Sequence, residues 1–274
     1  MFPRLLHIGE FSLPTYGFMA AFGLLVGLTV AVRNCKRQGV NEDYAWNLGI
    51  LAVLSAVIGA KLLFILDDWN YYLANPRALV SFDLLRTGGW WEGGVIAALV
   101  ACVWYMRKHR MKVLAICDAF APGIALGHAF GRIGCFAAGC CWGKPTDLPW
   151  GVTFTSKLAQ QWVGTPLGVS LQPTQIYESL FEFLNFAFLA WLFRRHKFDG
   201  QVIGAYLITY GIARFFFEFL RGDPDRGNVF GIMSLVQLIM IFFVLGGGIL
   251  WMRGGTAPVP VVAGKGAASR GAAR

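Results

Sequence analysis

One apolar stretch of the chain, HAFGRIGCFAAGCCWG at residues 128–143, contains a histidine, an arginine and three cysteines. An ionisable group in the hydrocarbon of a membrane costs several kcal/mol, so such a group is by default a candidate for function. His128, Arg132 and Cys135 are spaced by four and three residues, which places them on one face of a helix. Arg132 therefore requires an anionic partner, either a carboxylate or a ligand.

Arg214, Glu218 and Arg221 form a second group of charges, in YGIARFFFEFLRGDPDRG at residues 210–227. Their spacing again places them on one helical face. Two interpretations are open: an Arg–Glu pair that only stabilises packing, or an anion pocket, since guanidinium groups fork onto phosphate oxygens. Arg132 and Arg214 look unpaired in the sequence, so we predict that both guanidinium groups bind one phosphodiester.

The composition indicates a membrane protein. The chain is 56% hydrophobic and 14% charged, and its apolar runs approach the roughly 20 residues that a helix needs to cross a bilayer. Because irregular backbone cannot face lipid, we predict an all-α fold, a polytopic integral membrane helix bundle of about seven transmembrane helices. The predicted spans are residues 12–32, 44–66, 90–106, 113–136, 174–193, 200–220 and 229–252. Residues 1–253 form the predicted transmembrane domain, and residues 254–274 a disordered cytoplasmic tail.

The basic residues predict the orientation. They cluster after the first, third, fifth and seventh predicted spans, at Arg33, Lys36 and Arg37, at Arg107, Lys108, Arg110 and Lys112, at Arg194, Arg195 and Lys197, and at Arg253, Lys265, Arg270 and Arg274. The positive-inside rule puts the N-terminus outside and the C-terminus in the cytoplasm. Because these clusters account for most of the net charge of +9, we expect no nucleic-acid partner. The positive-inside rule does not explain a second set of ionisable residues, which lie within the predicted spans or at their outer ends: Lys61, Glu92, Asp118, Arg132, Glu178, Glu182, Arg214 and Glu218.

Seven segments, in this order, resemble a known family: LPTYGFM, IGAKL, GGWWEGGVIA, DAFAPGIALGHAFGRIGCFAAGCCWG, DLPWGVTF, QPTQIYES and YGIARFFFEFLRGDP. Together they cover most of the chain, which resembles the bacterial prolipoprotein diacylglyceryl transferases. The resemblance implies a multi-pass enzyme of the bacterial inner membrane that needs no metal or cofactor. It would transfer the diacylglyceryl group of phosphatidylglycerol to the lipobox cysteine thiol of prolipoproteins and release glycerol phosphate, in the first step of lipoprotein maturation.

The resemblance also implies roles for individual residues. Arg132 and Gly143 match the ends of the family's signature segment, Arg214 and Glu218 match its late arginine and glutamate, and Tyr16 matches an essential tyrosine. Arginines would hold the phosphate and stabilise the leaving group, while a base takes the thiol proton. The expected catalytic residues are Tyr16, Glu92, Arg214 and Glu218, and the expected substrate-binding residues are Gly93, Gly94, Arg132, Cys135, Gly143 and Arg221.

Two departures from the family bear on these roles. Where the family has His-Gly-Gly near the start of the third span, this chain has Glu92, Gly93 and Gly94, so the expected base is a glutamate. Glu92 can act as that base in a buried position, or it can pair with an arginine and do no chemistry. In the signature segment, the asparagines and glutamate of the family are replaced by Cys135, Ala138 and Cys140.

Cys135, Cys140 and Cys141 have four interpretations. A reactive thiol in the lipid site is favoured by the nearby charge of Arg132, whereas the alternatives are small residues in a helix contact, a disulfide or a metal site. The paired Cys-x-x-Cys spacing of metal sites is missing, so we predict no metal. The isolated cysteines are expected to pack as small hydrophobic residues: Cys35, Cys102 and Cys117.

Two other functions are open at this stage. The loss of the usual histidine favours a non-catalytic relative that binds or transports anionic phospholipid. A related transferase with a different acceptor is the second alternative, because acceptor recognition falls in external loops that carry no recognisable motif.

Overall fold

The structure is a computed structural model, which describes residues 2–8, 11–81, 84, 89–223, 228–229 and 231–254. Seven helices of 18 to 26 residues dominate the described chain. They are α1 (Thr15–Arg37), α2 (Glu42–Asp67), α4 (Trp91–Lys108), α5 (Val113–Ala138), α7 (Thr174–Phe193), α8 (Gln201–Glu218) and α9 (Leu235–Gly254). Shorter elements lie between them: α3 (Trp69–Ala74), a 3₁₀ helix (Pro76–Val80) and α6 (Lys157–Val163).

Five of the long helices, α1, α2, α5, α7 and α9, are long and apolar enough to cross a membrane. The other two, α4 and α8, have 18 residues each and carry charged side chains within that length. The prediction of a polytopic helical membrane protein is therefore confirmed. Each predicted span overlaps one long helix, whereas the crossing of all seven and the orientation of the termini stay predictions.

Glycines bring pairs of antiparallel helices into backbone contact. A Cβ atom on Gly27 of α1 would overlap the carbonyl oxygen of Gly123 of α5, and the reverse holds as well. Gly59 of α2 and Gly93 of α4 meet in the same way. Helices in a membrane gain close van der Waals contact through such small residues, since lipid provides no hydrophobic drive for their association. Consequently α1 lies on α5, and α4 lies on α2.

A buried carboxylate joins α5 to the start of α8. The side chain of Asp118 is fully buried, and its Oδ2 and Oδ1 atoms accept hydrogen bonds from the backbone N–H groups of Gly200 (2.6 Å) and Ile203 (2.7 Å). The first N–H groups of a helix lack intrahelical partners, so Asp118 caps α8 from a neighbouring helix. One residue further along α5, the carbonyl of Ala119 accepts a hydrogen bond of 3.1 Å from Asn34 of α1.

Three pairs of short antiparallel strands, which the all-α prediction did not include, supplement the helices in the described part of the chain. Their strands are β1 (Arg4–Ile8) with β2 (Phe11–Pro14), β3 (Val152–Thr153) with β4 (Ser170–Leu171), and β5 (Asn228–Val229) with β6 (Met233–Ser234). The segment between α5 and α7 closes over a small apolar cluster of Trp142, Phe154 and Leu171. The predicted disordered tail lies outside the described residues from position 255 onwards.

We expect Asp118→Asn to destabilise the protein by about 1–3 kcal/mol, because one carboxylate acceptor becomes an amide donor that faces the N–H groups of α8. The measurement is thermal unfolding of the purified protein in detergent micelles. Asp147→Asn is the matched control, since Asp147 is exposed in the segment between α5 and α7. Equal melting temperatures for the two variants would contradict the capping role.

Candidate active site

Arg132 lies near the end of α5 between two groups that bind it. Its Nη2 atom is 2.7 Å from Oε2 of Glu178 on α7, and its Nε donates a hydrogen bond of 3.2 Å to Nε2 of His128. The Nδ1 atom of His128 lies 3.2 Å from Oε1 of Glu182. Because Nε2 accepts from Arg132, the geometry assigns the imidazole as neutral, with its proton on Nδ1 and directed at Glu182.

Glu178 holds a second arginine as well. Its other oxygen, Oε1, is 3.6 Å from Nη1 of Arg221, which follows α8. The Nε and Nη2 atoms of Arg221 bind both carboxylate oxygens of Asp223, at 2.8 and 2.7 Å. All three nitrogens of Arg221 are therefore engaged by carboxylates. This arrangement indicates that Arg221 positions Glu178, and its predicted contact with substrate stays a prediction.

Arg214 and Glu218 form a buried i, i+4 ion pair on α8, with 2.8 Å between Nη1 and Oε2. The interpretation of Arg214 and Glu218 as a neutralising pair therefore agrees with their geometry. The expectation that Arg132 and Arg214 are unpaired is wrong. Hydrocarbon surroundings make an unpaired guanidinium costly, so the fold supplies carboxylates. Within the described part of the chain, however, Nε and Nη2 of Arg214 have no hydrogen-bond partner. Arg214 packs close to His128, Glu178, Glu182 and Tyr210, and the space that these side chains enclose is too small for a water molecule.

The three clustered cysteines meet where α5 ends. Gly139 terminates the helix in the left-handed conformation, and Cys141 also has a positive φ of 62°. These turns bring the Sγ atoms of Cys135, Cys140 and Cys141 to within 4.8 Å of one another. The pKa of the Cys141 thiol lies below its ordinary value because the Cys135 and Cys140 thiols hydrogen-bond to it and Arg221 adds positive charge.

Gly143 belongs to a backbone junction near these cysteines. Its N–H donates a hydrogen bond of 3.0 Å to the carbonyl of Gln172, and it forms a β-bridge with Arg221. A Cβ atom on Gly143 would lie 2.6 Å from the same Gln172 oxygen. The structure therefore explains the glycine through backbone contact, which holds Arg221 in place, and its predicted substrate contact stays a prediction.

Tyr16 lies at the start of α1, close to the cysteine cluster. A Cβ atom on Gly134 would lie 3.4 Å from the Cα atom of Tyr16, and Tyr16 interacts electrostatically with Cys135 and Arg132. Its side chain is 48% exposed, so it is accessible from outside the bundle. The structure thus brings the predicted Tyr16 to the same end of the bundle as Arg132.

Glu92 and the two glycines after it lie in the first turn of α4. Gly93 and Gly94 pack against α2 at Gly59 and at Ala56, so the structure gives both glycines a packing role. Glu92 forms no ion pair with an arginine among the described residues, and its buried Oε2 atom has no hydrogen-bond partner there. The interpretation of Glu92 as a partner of Arg132 or Arg214 is therefore wrong.

A large apolar cavity adjoins this polar cluster. It has a volume of about 500 Å³ and lies between α1, α2 and α5. Leu28 and Phe120 line its length, while His128 and Gly131 line the end nearest to Arg132. Buried charges beside an apolar cavity are suited to an amphiphile with an anionic headgroup.

Sequence reasoning gave no role to three residues that the structure places at the centre: His128, Glu178 and Glu182. A signal was present, because His128 and Arg132 are four residues apart and so are Glu178 and Glu182. When two antiparallel helices pack together, residues with this spacing can form two contacts that lie one helical turn apart. The spacing alone did not identify which helices are neighbours.

Comparison with known proteins identifies the family of the chain. The family model described as prolipoprotein diacylglyceryl transferase matches residues 3–253. A phosphatidylglycerol–prolipoprotein diacylglyceryl transferase of Clostridium tetani is 39% identical over 89% of this chain and 94% of its own length. Relatives of the same name from Clostridium perfringens (37% identity, 86% of this chain, 89% of theirs) and Finegoldia magna (35%, 87% and 90%) are also similar. The chain belongs to the prolipoprotein diacylglyceryl transferase family.

Proposed function

We propose that this protein transfers the diacylglyceryl group of phosphatidylglycerol to the lipobox cysteine thiol of prolipoproteins, the first step of bacterial lipoprotein maturation. The observation that carries the proposal is a group of buried arginines at one end of an apolar cavity, in a chain of this family. The protein resides in the bacterial inner membrane. All seven long helices cross it, with the N-terminus outside and the C-terminus in the cytoplasm.

The phosphate of the lipid binds to Arg132 and Arg214, and an acyl chain lies in the apolar cavity. Arg214 is the principal phosphate ligand, because its Nε and Nη2 atoms are unengaged within the described chain while Glu218 holds Nη1. Arg132 contributes from α5 and is already oriented by Glu178. Preorganised donors of this kind stabilise the charge that develops on a leaving phosphate without rearrangement during the reaction. Cys135, Gly143, Gly93, Gly94 and Arg221 complete the substrate-binding region.

The reaction is a substitution at the glyceryl carbon that carries the phosphate. The acceptor thiol loses its proton to a base, its sulfur bonds to that carbon, and the carbon–oxygen bond to phosphate breaks, which releases glycerol phosphate. Glu92 is the proposed base, since its unpartnered buried oxygen can accept a proton. Tyr16 orients the substrate from α1, and Glu218 orients Arg214. The thiol and the phosphate ester supply both reacting groups, so no metal or cofactor takes part.

Complementation tests the function as a whole. The gene is expressed in a transferase-depleted bacterium, and lipidation of a reporter lipoprotein is followed by its gel shift and by mass spectrometry. We expect restored growth and a diacylglyceryl-modified reporter, with the Arg214→Gln variant as the inactive control. Phospholipid binding without reporter modification would support the non-catalytic relative, which the replacement of the family histidine by Glu92 favours.

We expect Arg132→Gln and Arg214→Gln each to lower transfer by about 10²–10³-fold, because each removes a charged donor at the departing phosphate. The assay measures diacylglyceryl transfer to a lipobox peptide by purified protein in detergent. Arg194→Gln makes the same change at the exposed end of α7 and should retain activity. Wild-type rates in both site variants would contradict the phosphate assignment.

We expect Glu92→Gln to eliminate turnover while phosphatidylglycerol still binds, since an amide cannot accept the thiol proton. Glu92→His should preserve part of the activity because an imidazole is also a base. Lipid binding is measured by calorimetry in parallel with turnover, and Glu42→Gln in the exposed first turn of α2 serves as the control. Unchanged turnover in Glu92→Gln would refute this role and leave the His128–Glu182 pair as the base.

A further inference from the structure

Three sulfur atoms converge at the C-terminal end of α5, and the proposed transfer does not use them as nucleophiles. The Sγ atoms of Cys135, Cys140 and Cys141 all lie within 4.8 Å of one another, and all three cysteines are free. Cys135 is buried, while Cys140 and Cys141 are half-buried. Soft thiolate groups of this number and arrangement are ligands for Zn²⁺ and Cu⁺.

The surrounding backbone holds this cluster in a fixed shape. Cys141 adopts a left-handed conformation, which costs a residue with a side chain about 1–2 kcal/mol where glycine would have no such cost. Two side chains of α7 fix the turn: Gln175 donates a hydrogen bond of 2.7 Å to the carbonyl of Cys140, and Thr174 donates one of 2.9 Å to that of Cys141. A strained residue held by its neighbours is typical of a functional site.

We propose that Cys135, Cys140 and Cys141 form a three-thiolate site for a thiophilic cation such as Zn²⁺, with water as the fourth ligand. A Zn–S bond of about 2.3 Å in tetrahedral geometry places the sulfurs about 3.8 Å apart. Binding therefore draws the Sγ atoms together by no more than about 1 Å, which side-chain rotation can supply.

Two cationic side chains lie next to the proposed ion. Zn²⁺ that displaces three thiol protons leaves a complex with a net charge of −1. The Arg132 and Arg221 guanidinium groups interact electrostatically with these cysteines, and because each is also paired with a carboxylate they offset only part of that charge. The missing Cys-x-x-Cys spacing argued against a metal in the sequence, but the left-handed turn at Gly139 and Cys141 brings the sulfurs together by another route.

Metal titration of the purified full chain tests the proposal independently of transferase activity. Protein in detergent is reduced with a phosphine, stripped with EDTA, desalted, and titrated without oxygen with Co²⁺, whose thiolate complexes absorb strongly in the near ultraviolet. We expect one Co²⁺ per chain, displaced by Zn²⁺. Cys140→Ser should weaken Zn²⁺ binding by more than about 100-fold, since loss of a supporting residue alone costs 10–100-fold. Cys117→Ser, elsewhere on α5, should bind as the wild type does.

A second measurement does not depend on the folding of any variant. Zn²⁺ bound to the wild-type protein should protect Cys135, Cys140 and Cys141 from alkylation, as read by peptide mass spectrometry, and should leave Cys102 labelled as before. The proposal is overturned if the reduced wild type shows no thiolate absorption with Co²⁺, if Cys140→Ser binds Zn²⁺ as tightly as the wild type, or if Zn²⁺ leaves all three cysteines unprotected.

Discussion

The carboxylate of Glu178 is the interaction on which the polar region of this protein depends. It is 2% exposed, and its two oxygens face Arg132 of α5 at 2.7 Å and Arg221 beyond α8 at 3.6 Å. Removal of one member of a buried ion pair costs about 3–5 kcal/mol, because the remaining charge is left uncompensated. Three segments of the chain are thereby fixed to one another at this end of the bundle. His128 and Arg214 take their positions around the same group.

This constraint also limits how an anionic lipid can bind. Among the described residues, the cluster contains three guanidinium groups, and four carboxylates lie beside them: Glu178, Glu182, Glu218 and Asp223. Each of these guanidinium groups already faces a carboxylate, so a phosphate is not attracted by unpaired positive charge among the described residues. It must use directed hydrogen bonds instead, which the planar guanidinium groups of Arg132 and Arg214 provide in a defined geometry. The apolar cavity then contributes the free energy of burying acyl chains.

The sequence predicted the helices well and the contacts between them less well. Hydropathy locates each long helix because the bilayer sets its length, and the i, i+4 spacing correctly grouped Arg214 with Glu218. Which helices are neighbours depends on side-chain packing that no local pattern encodes. For that reason Glu178 received no role, and Gly93 was assigned to substrate although it packs on α2. The spacing of the cysteines likewise did not show how close their sulfur atoms lie, because this closeness depends on a left-handed turn that linear spacing does not reveal.

The close contact of α1 with α5 links helix packing to the chemistry. Gly27 and Gly123 let these two backbones touch, and Gly134 repeats the contact about three turns further along α5, beside Tyr16. A helix rises 1.5 Å per residue and is stiff over this length, so the glycine contact fixes where the start of α1 lies relative to Arg132. Tyr16 is half exposed and would otherwise have little to hold it, because few neighbours surround an exposed side chain. The position of the proposed catalytic tyrosine is therefore determined by residues that have no side chain and take no part in the reaction.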